Sequence, residues 1–342
     1  MNGATTAVAT LAAVAVGIAI VRRRRALVLP LGPWQAVKDI NLARTAPLEF
    51  WHRLEAAMHP PDMIECAIGF RPKAKDVVTL TTPKTGQTWL LAQLRMLSIG
   101  KVSIDENQLA FNMTGSGDGV PWLEHSASGK LVDHPQPGRF RVFKSHLKLQ
   151  QAREMVLASP DARFITCLRC PHDVCLSFFN HIRAMWAKRC NGGDASPFDA
   201  AYDASMFALA GLPADYERNL LEWVELRHMP NVLVMWYEEM VADPLAAMRQ
   251  LAAFVQVELS PELEASILKT TDYQSMAASP AFVNVFPGGG KYGRGRASLS
   301  AEAVAEVDAR WQAVARATGC ASYEALYSSM HDGAPFPFLH NR

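Results

Sequence analysis

Along this chain, short unbroken apolar runs alternate with stretches in which apolar residues recur at helical spacing. Val77-Val78-Thr79-Leu80-Thr81-Thr82 is apolar and β-branched, which predicts a buried strand. Pro83 closes it, and Gly86 allows a tight turn. From Thr88 the pattern changes to helical spacing at Leu90, Leu91, Leu94 and Leu97. Arg139 to Leu147 alternates and predicts a second strand, ending in the polar group Lys144-Ser145-His146. Arg163 to Leu168 predicts a third strand running into a helix, and Asn231 to Trp236 a fourth. Residues 34–75 read as a helical lead-in through Leu48, Trp51, Leu54 and Met58. Residues 181–230 read as helical with a break at Asn191-Gly192-Gly193-Asp194, and a further helix carries Leu245, Met248, Leu251, Phe254 and Val255. Residues 101–138, rich in Gly, Asp, His and Pro, predict a long irregular connection of the kind that often carries substrate contacts. Strands alternating with helices imply a three-layer α/β architecture with a central parallel sheet covered on both faces.

Composition narrows the function. At 342 residues the chain suffices for one large α/β domain or two small ones. A net charge of +1 argues against a general nucleic-acid binder. The six cysteines follow no regular framework, which fits a reducing compartment.

The N-terminus differs in kind. Ala4 to Val21 carries no charge and is followed at once by Arg22-Arg23-Arg24-Arg25, the reverse of a cleaved signal peptide. Eighteen helical residues at about 1.5 Å each would just span a bilayer. The expectation is a single-pass membrane anchor over residues 1–29, its arginines cytosolic, ahead of a catalytic domain over residues 30–342 that faces the cytosol. The alternatives are an organelle targeting peptide and a soluble leader, leaving a soluble cytoplasmic or organellar protein.

Three strand ends carry candidate chemistry. A strand, a Gly-containing loop and a helix start at residues 77–90 make an anion site from backbone N–H groups and the helix dipole, to which Lys84, Thr85 and Thr88 add a charge and two hydroxyls. It is not a Walker A loop, since a single glycine is present and the lysine precedes it. An ordinary strand–helix corner is the plainer reading. Lys144 and His146, two apart at a strand end, project to one side, either as solvated surface groups or as a charge stabiliser and a base. Arg169 ends the third strand and Ser177 follows two helical turns on. Cys167, Cys170, His172 and Cys175 suggest a metal, but Cys167 lies inside an apolar strand, so buried thiols are the simpler account and no metal is expected.

These segments, in order, resemble the cytosolic-type sulfotransferases, which use 3′-phosphoadenosine 5′-phosphosulfate (PAPS). Pro83-Lys84-Thr85-Gly86-Gln87-Thr88-Trp89 is similar to the family's Pro-Lys-Ser-Gly-Thr-Thr-Trp loop, which holds the 5′ end of the donor. Lys144-Ser145-His146-Leu147 resembles its Lys-Thr/Ser-His-Leu segment, whose histidine is the catalytic base. Arg169 and Ser177 resemble the Arg-x₇-Ser pair that grips the 3′-phosphate, Tyr237 in Tyr237-Glu238-Glu239-Met240 the tyrosine that reaches the nucleotide, and Val120-Pro121-Trp122-Leu123-Glu124 a segment near the acceptor pocket. Thr271 and Tyr273 resemble a Thr and an aromatic ring on adenine, with Trp89 on the other face of the base; Asp272 stands there for Ser. The resemblance covers roughly residues 75–300. It implies a P-loop nucleotide-kinase-like sulfotransferase fold, and transfer of a sulfuryl group from PAPS to a hydroxyl of a small-molecule acceptor. His146, Lys84 and Lys144 would be catalytic.

One motif departs. The family's Arg-Lys-Gly-x-x-Gly reads here Gly288-Gly289-Gly290-Lys291-Tyr292-Gly293, so both basic residues are glycine. Lys291, Gly293 and Arg294 are the expected donor contacts there, with Lys291, Arg294 or Arg296 in place of the missing charges. The family's dimer motif is also absent, leaving the oligomeric state open. Rival readings are a P-loop kinase or NTPase and a non-catalytic nucleotide binder. Trp186 and Phe198 are either acceptor-pocket rings or core.

Overall fold

A computed structural model describes residues 37–58, 61–101, 111–112, 119–125, 135–279, 292–334 and 336–337. Its centre is a parallel sheet of β1 (Val77–Leu80), β4 (Val142–Ser145), β5 (Arg163–Leu168) and β6 (Val232–Trp236), in the order β4-β1-β5-β6. Two short strands, β2 (Phe111–Asn112) and β3 (Val120–Pro121), pair beside it. β1 lies between β4 and β5, Thr79 opposite Lys144 on one side and Ile165 on the other. The chain leaves β1 for one neighbour and later returns to the other side. Loops at the carboxyl ends of β1 and β5 therefore diverge and leave a crevice, where ligands of open α/β sheets bind.

The three layers follow from strand alternation. Val77, Val142, Ile165 and Met235 face one side and pack with Leu90, Leu91, Leu94 and Leu97 of the helix Gln87–Ile99 and with Met248 and Leu251 of the helix Pro244–Phe254. Val78, Leu80, Phe143 and Phe164 face the other side, against Ala152, Met155 and Val156 of the helix Leu149–Ala158 and Trp223 and Leu226 of the helix Tyr216–Leu226. β-branched and aromatic runs buried on both faces are what a parallel sheet requires.

The lead-in helices Asn41–Thr45 and Pro47–Met58 lay Phe50, Trp51 and Leu54 against Phe178, Phe179 and Ile182 of the long helix Pro171–Cys190. Trp186 and Phe198 belong to this aromatic core, their centroids 5.6 Å apart, so the acceptor-pocket alternative for them is corrected to packing.

Sequence boundaries shift slightly at the crevice. The strand expected to reach Thr82 ends at Leu80, and the helix begins at Gln87 rather than Thr88. Gln87 explains part of this. Its buried amide donates to the Thr79 carbonyl, the Thr79 hydroxyl and the Ser145 carbonyl at 3.2, 3.0 and 2.8 Å, bracing β1 to β4 from beneath the loop.

The apolar run 4–21, its arginines, Gly288 to Gly290 and Lys291 lie outside the described residues. Among the described residues, no helix is long and apolar enough to cross a membrane.

Candidate functional site

The loop after β1 is shaped by two left-handed residues, Lys84 (φ 72°) and Gly86 (φ 113°). A Cβ on Gly86 would come within 2.8 Å of the Tyr237 ring, so glycine answers both a conformational and a spatial demand. The Thr85 hydroxyl donates to the Thr82 carbonyl at 2.9 Å, and the side-chain amide of Asn219 donates to the Thr82 hydroxyl at 3.0 Å. The first bond of the helix Gln87–Ile99 runs from Leu90 N–H to the Gly86 carbonyl. The N–H groups of Gln87, Thr88 and Trp89 thus head the helix with no acceptor inside it. Gln87 reaches a ligand here only through its backbone, because its side chain is turned into the sheet.

Arg169 meets this loop directly. Its guanidinium donates to the Lys84 carbonyl at 2.9 Å and lies 4.1 Å from the centroid of the Tyr237 ring. The Tyr216 hydroxyl accepts from Arg169 N–H at 3.0 Å and donates to the Arg169 carbonyl. Next along, the buried Glu238 carboxylate accepts from Cys170 N–H at 2.8 Å and from the Tyr323 hydroxyl at 3.0 Å; burial pushes it up to about 7. Trp89 stands edge-on to Tyr237, centroids 6.4 Å apart. The turns after β1, β5 and β6 therefore meet at one point.

The end of β4 supplies the third part. His146 Nδ1 lies 2.8 Å from the Thr81 carbonyl. A carbonyl only accepts, so Nδ1 carries the proton and Nε2 the lone pair. Glu124, buried, accepts from the Ser145 hydroxyl at 3.1 Å and from His146 N–H, holding that turn in place. Burial raises the Glu124 carboxyl, while those two bonds and Lys144 oppose the rise. Lys144 Nζ sits 3.3 Å from the centroid of the Trp122 ring, and Trp122 meets the His146 ring at 5.3 Å.

Both lysines are weakened as ammonium groups. Burial lowers Lys144 to about 7, with Glu124 opposing the fall and Lys84 deepening it. Burial, helped by Arg169, lowers Lys84 to about 8. Two like charges held close with little water favour an anion between them.

Other expected positions fall around this centre. Ser177 is half-buried on the helix Pro171–Cys190. Thr271 is buried, and its hydroxyl donates to the Ile267 carbonyl at 2.8 Å inside its own helix. Tyr273 is 36% exposed at the start of the helix Tyr273–Ala278. Asp272, unexplained by sequence, is the N-cap of that helix and accepts from Gln274 and Ser275 N–H at 2.8 and 3.2 Å. Gly293 and Gly295 N–H donate to the Asp173 carboxylate at 2.5 and 2.6 Å. A Cβ on Gly295 would strike the His172 carbonyl carbon at 2.2 Å, so the loop docks there only as glycine. Arg294 is exposed. Arg296 makes a bidentate pair with Asp308 at 2.8 and 3.0 Å.

Cys167, Cys170 and Cys175 are free thiols pushed upward by burial, and no metal-binding group occurs among the described residues. Sequence reading missed Glu124, Tyr216 and Glu238 as organisers. The Pro121-Trp122-Leu123-Glu124 segment was the signal for the first and the Tyr237-Glu238-Glu239-Met240 stretch for Glu238; Tyr216 carried none.

Comparison with known proteins agrees with this geometry. The family model described as "Sulfotransferase domain" matches residues 74–286, more than half of the chain. A 3-alpha-hydroxysteroid sulfotransferase of Cavia porcellus is 27% identical over 207 residues, covering 60% of this chain and 68% of its own. Sulfotransferase 1A1 of Canis lupus familiaris is 25% identical over 247 residues, covering 70% and 79%. Among solved structures, a mouse sulfotransferase, SULT7A1, complexed with PAP shares the fold with a TM-score of 0.60 at 18% identity, over 80% of this chain and 95% of that one. A retinol dehydratase in complex with retinol and PAP aligns with a TM-score of 0.52 at 17% identity, over 75% and 86%. On its matched span, and with a parallel sheet whose strand ends gather the loops described above, this chain belongs to the sulfotransferase domain family.

Proposed function

We propose that this chain transfers a sulfuryl group from PAPS to a hydroxyl of a small-molecule acceptor. The observation that carries the reading is His146, whose Nδ1 lies 2.8 Å from the Thr81 carbonyl, which puts the proton on Nδ1 and makes Nε2 the basic nitrogen of the neutral ring. Relatives named for hydroxysteroid sulfotransfer and solved relatives holding PAP support the same donor and acceptor classes.

In this reading the helix N-terminus at residues 87–89 and Lys84 hold the 5′ end of the donor, and Arg169 with Ser177 the 3′-phosphate. Tyr237, Trp89, Thr271 and Tyr273 border the nucleoside, with Gly293 and Arg294 as further donor contacts; Lys291, a third, lies outside the described residues. The acceptor oxygen attacks sulfur as its proton passes to His146 Nε2. The bond from sulfur to the bridging oxygen of the 5′-phosphate breaks, and its electron pair leaves with that phosphate. Lys84 and Lys144 stabilise the charge shifting between the two oxygens, so positioning and electrostatics supply most of the rate. Neither the kinase nor the binder alternative accounts for a tautomer-fixed base that shares the Trp122 ring with Lys144.

His146→Ala should lower kcat about 10²–10⁴-fold in a radiolabelled-PAPS assay; unchanged turnover removes His146 from the mechanism. The lysines give a pH prediction. Unliganded, Lys144 and Lys84 lose their protons near 7 and 8. An anionic ligand draws both back to the charged form, so affinity falls as pH rises through that range. Calorimetry of PAP binding at pH 8 in two buffers should show uptake of about one proton; heats independent of the buffer would contradict this. We also propose that residues 1–29 attach the catalytic domain to a membrane, which the apolar run 4–21 and the four arginines support. Full-length protein should stay with membranes after carbonate washing and lose them on deletion of 1–29. Release of the full-length chain by the wash would refute attachment.

A further inference from the structure

The helix Pro171–Cys190 turns Phe178, Phe179, Ile182 and Trp186 into the aromatic core. Its opposite, half-buried face carries Ser177 and, one turn on, His181. Nothing in the mechanism above uses His181. Its Nδ1 is fully buried and has no hydrogen-bond partner. A polar atom left so is costly, a cost that a bound group with matching chemistry would recover.

Its surroundings say which group. Burial first, then the charges of Lys84 and Lys144, hold this imidazole well below its ordinary range, so it is neutral near pH 7. The ring is therefore within electrostatic reach of both lysines that flank the transferring group. Those lysines already match the anionic oxygens of the donor. A neutral imidazole offers one donor and one acceptor, which suits a hydroxyl rather than a sulfate oxygen. In the sulfotransferase reading Ser177 is on the donor side, and His181 lies about 6 Å further along the helix axis.

We propose that His181 is a specificity residue that hydrogen-bonds a second polar group on the acceptor, adjacent to the reacting hydroxyl. Preferred acceptors are then catechols and vicinal diols over their monohydroxy counterparts. The inference rests on the sulfotransferase reading and adds an acceptor class to it. A plain hydrocarbon edge facing His181 would leave the buried nitrogen unpaired, the situation by which sites built for a hydroxyl reject analogues lacking it.

The test uses the full chain with PAPS and two acceptor pairs, catechol with phenol and cis-1,2-cyclohexanediol with cyclohexanol. Wild type should favour the dihydroxy member of each pair in kcat/KM. His181→Phe should reduce that preference about 10-fold or more, chiefly through the dihydroxy KM, and His181→Asn should retain part of it. His181→Leu replaces the Phe variant if the larger ring prevents folding, as judged by loss of the PAP-induced rise in Tm. Equal preference in wild type and the apolar variant overturns the proposal. So does a uniform fall in kcat for all four acceptors, which would place His181 on the sulfuryl group, and so does a PAP-induced Tm rise in wild type with turnover of none of them. Absence of both the PAP response and turnover overturns the underlying sulfotransferase reading instead.

Discussion

The guanidinium of Arg169 lies on the Tyr237 ring and donates to the Lys84 carbonyl, and through it three separate strand ends become one surface. Each partner depends on the others. Tyr237 approaches closely because residue 86 lacks a Cβ; Lys84 offers its carbonyl because its backbone is left-handed. Arg169 keeps its place because Tyr216 holds both of its main-chain polar groups. A half-satisfied polar cluster at this depth would be costly, which is why the bracing continues outward through Glu238, Tyr323 and Asn219. The same burial that makes the cluster rigid strips water from Lys84 and Lys144 and leaves both ammonium groups poised to gain from an anion.

Much of this was legible along the chain. Val77 to Leu80, Arg163 to Leu168 and Asn231 to Trp236 announce buried parallel strands because both faces are covered and no alternation interrupts them. The glycine at 86 and the lysine at 84 announce a turn of unusual backbone, which their positive φ values match. Less legible were residues that act through long-range partners. Tyr216 lies 47 positions from the arginine it clamps, and Glu238 lies 68 from the amide it accepts, and no local pattern carries such distances. Gln87 was legible in part: it sits in the ligand-like loop with its backbone, while its side chain is turned inward to bridge β1 and β4. Asp272, an apparent charge conflict, resolves as a helix cap.

The chain also departs from its family at Gly288 and Gly289, where two basic residues are replaced. Arg296 is engaged by Asp308, and His172 shares that carboxylate at 3.2 Å. What secures the neighbouring segment is backbone instead: Asp173 takes two amides, and Gly295 fits flat against residues 172–173. In the proposed reading, the holding of a doubly charged 3′ group then falls more heavily on Arg169, whose guanidinium type is well matched to phosphate.

Whether the Lys84 and Arg169 grips seize one nucleotide is measured most directly by titrating PAP into wild type, Lys84→Ala and Arg169→Ala and following the heat of binding. Wild type should bind, and each substitution should weaken binding about 10- to 100-fold, the loss of one charged hydrogen bond of about 1.5–3 kcal/mol. Variants that fold normally and bind PAP as tightly as wild type would contradict the account.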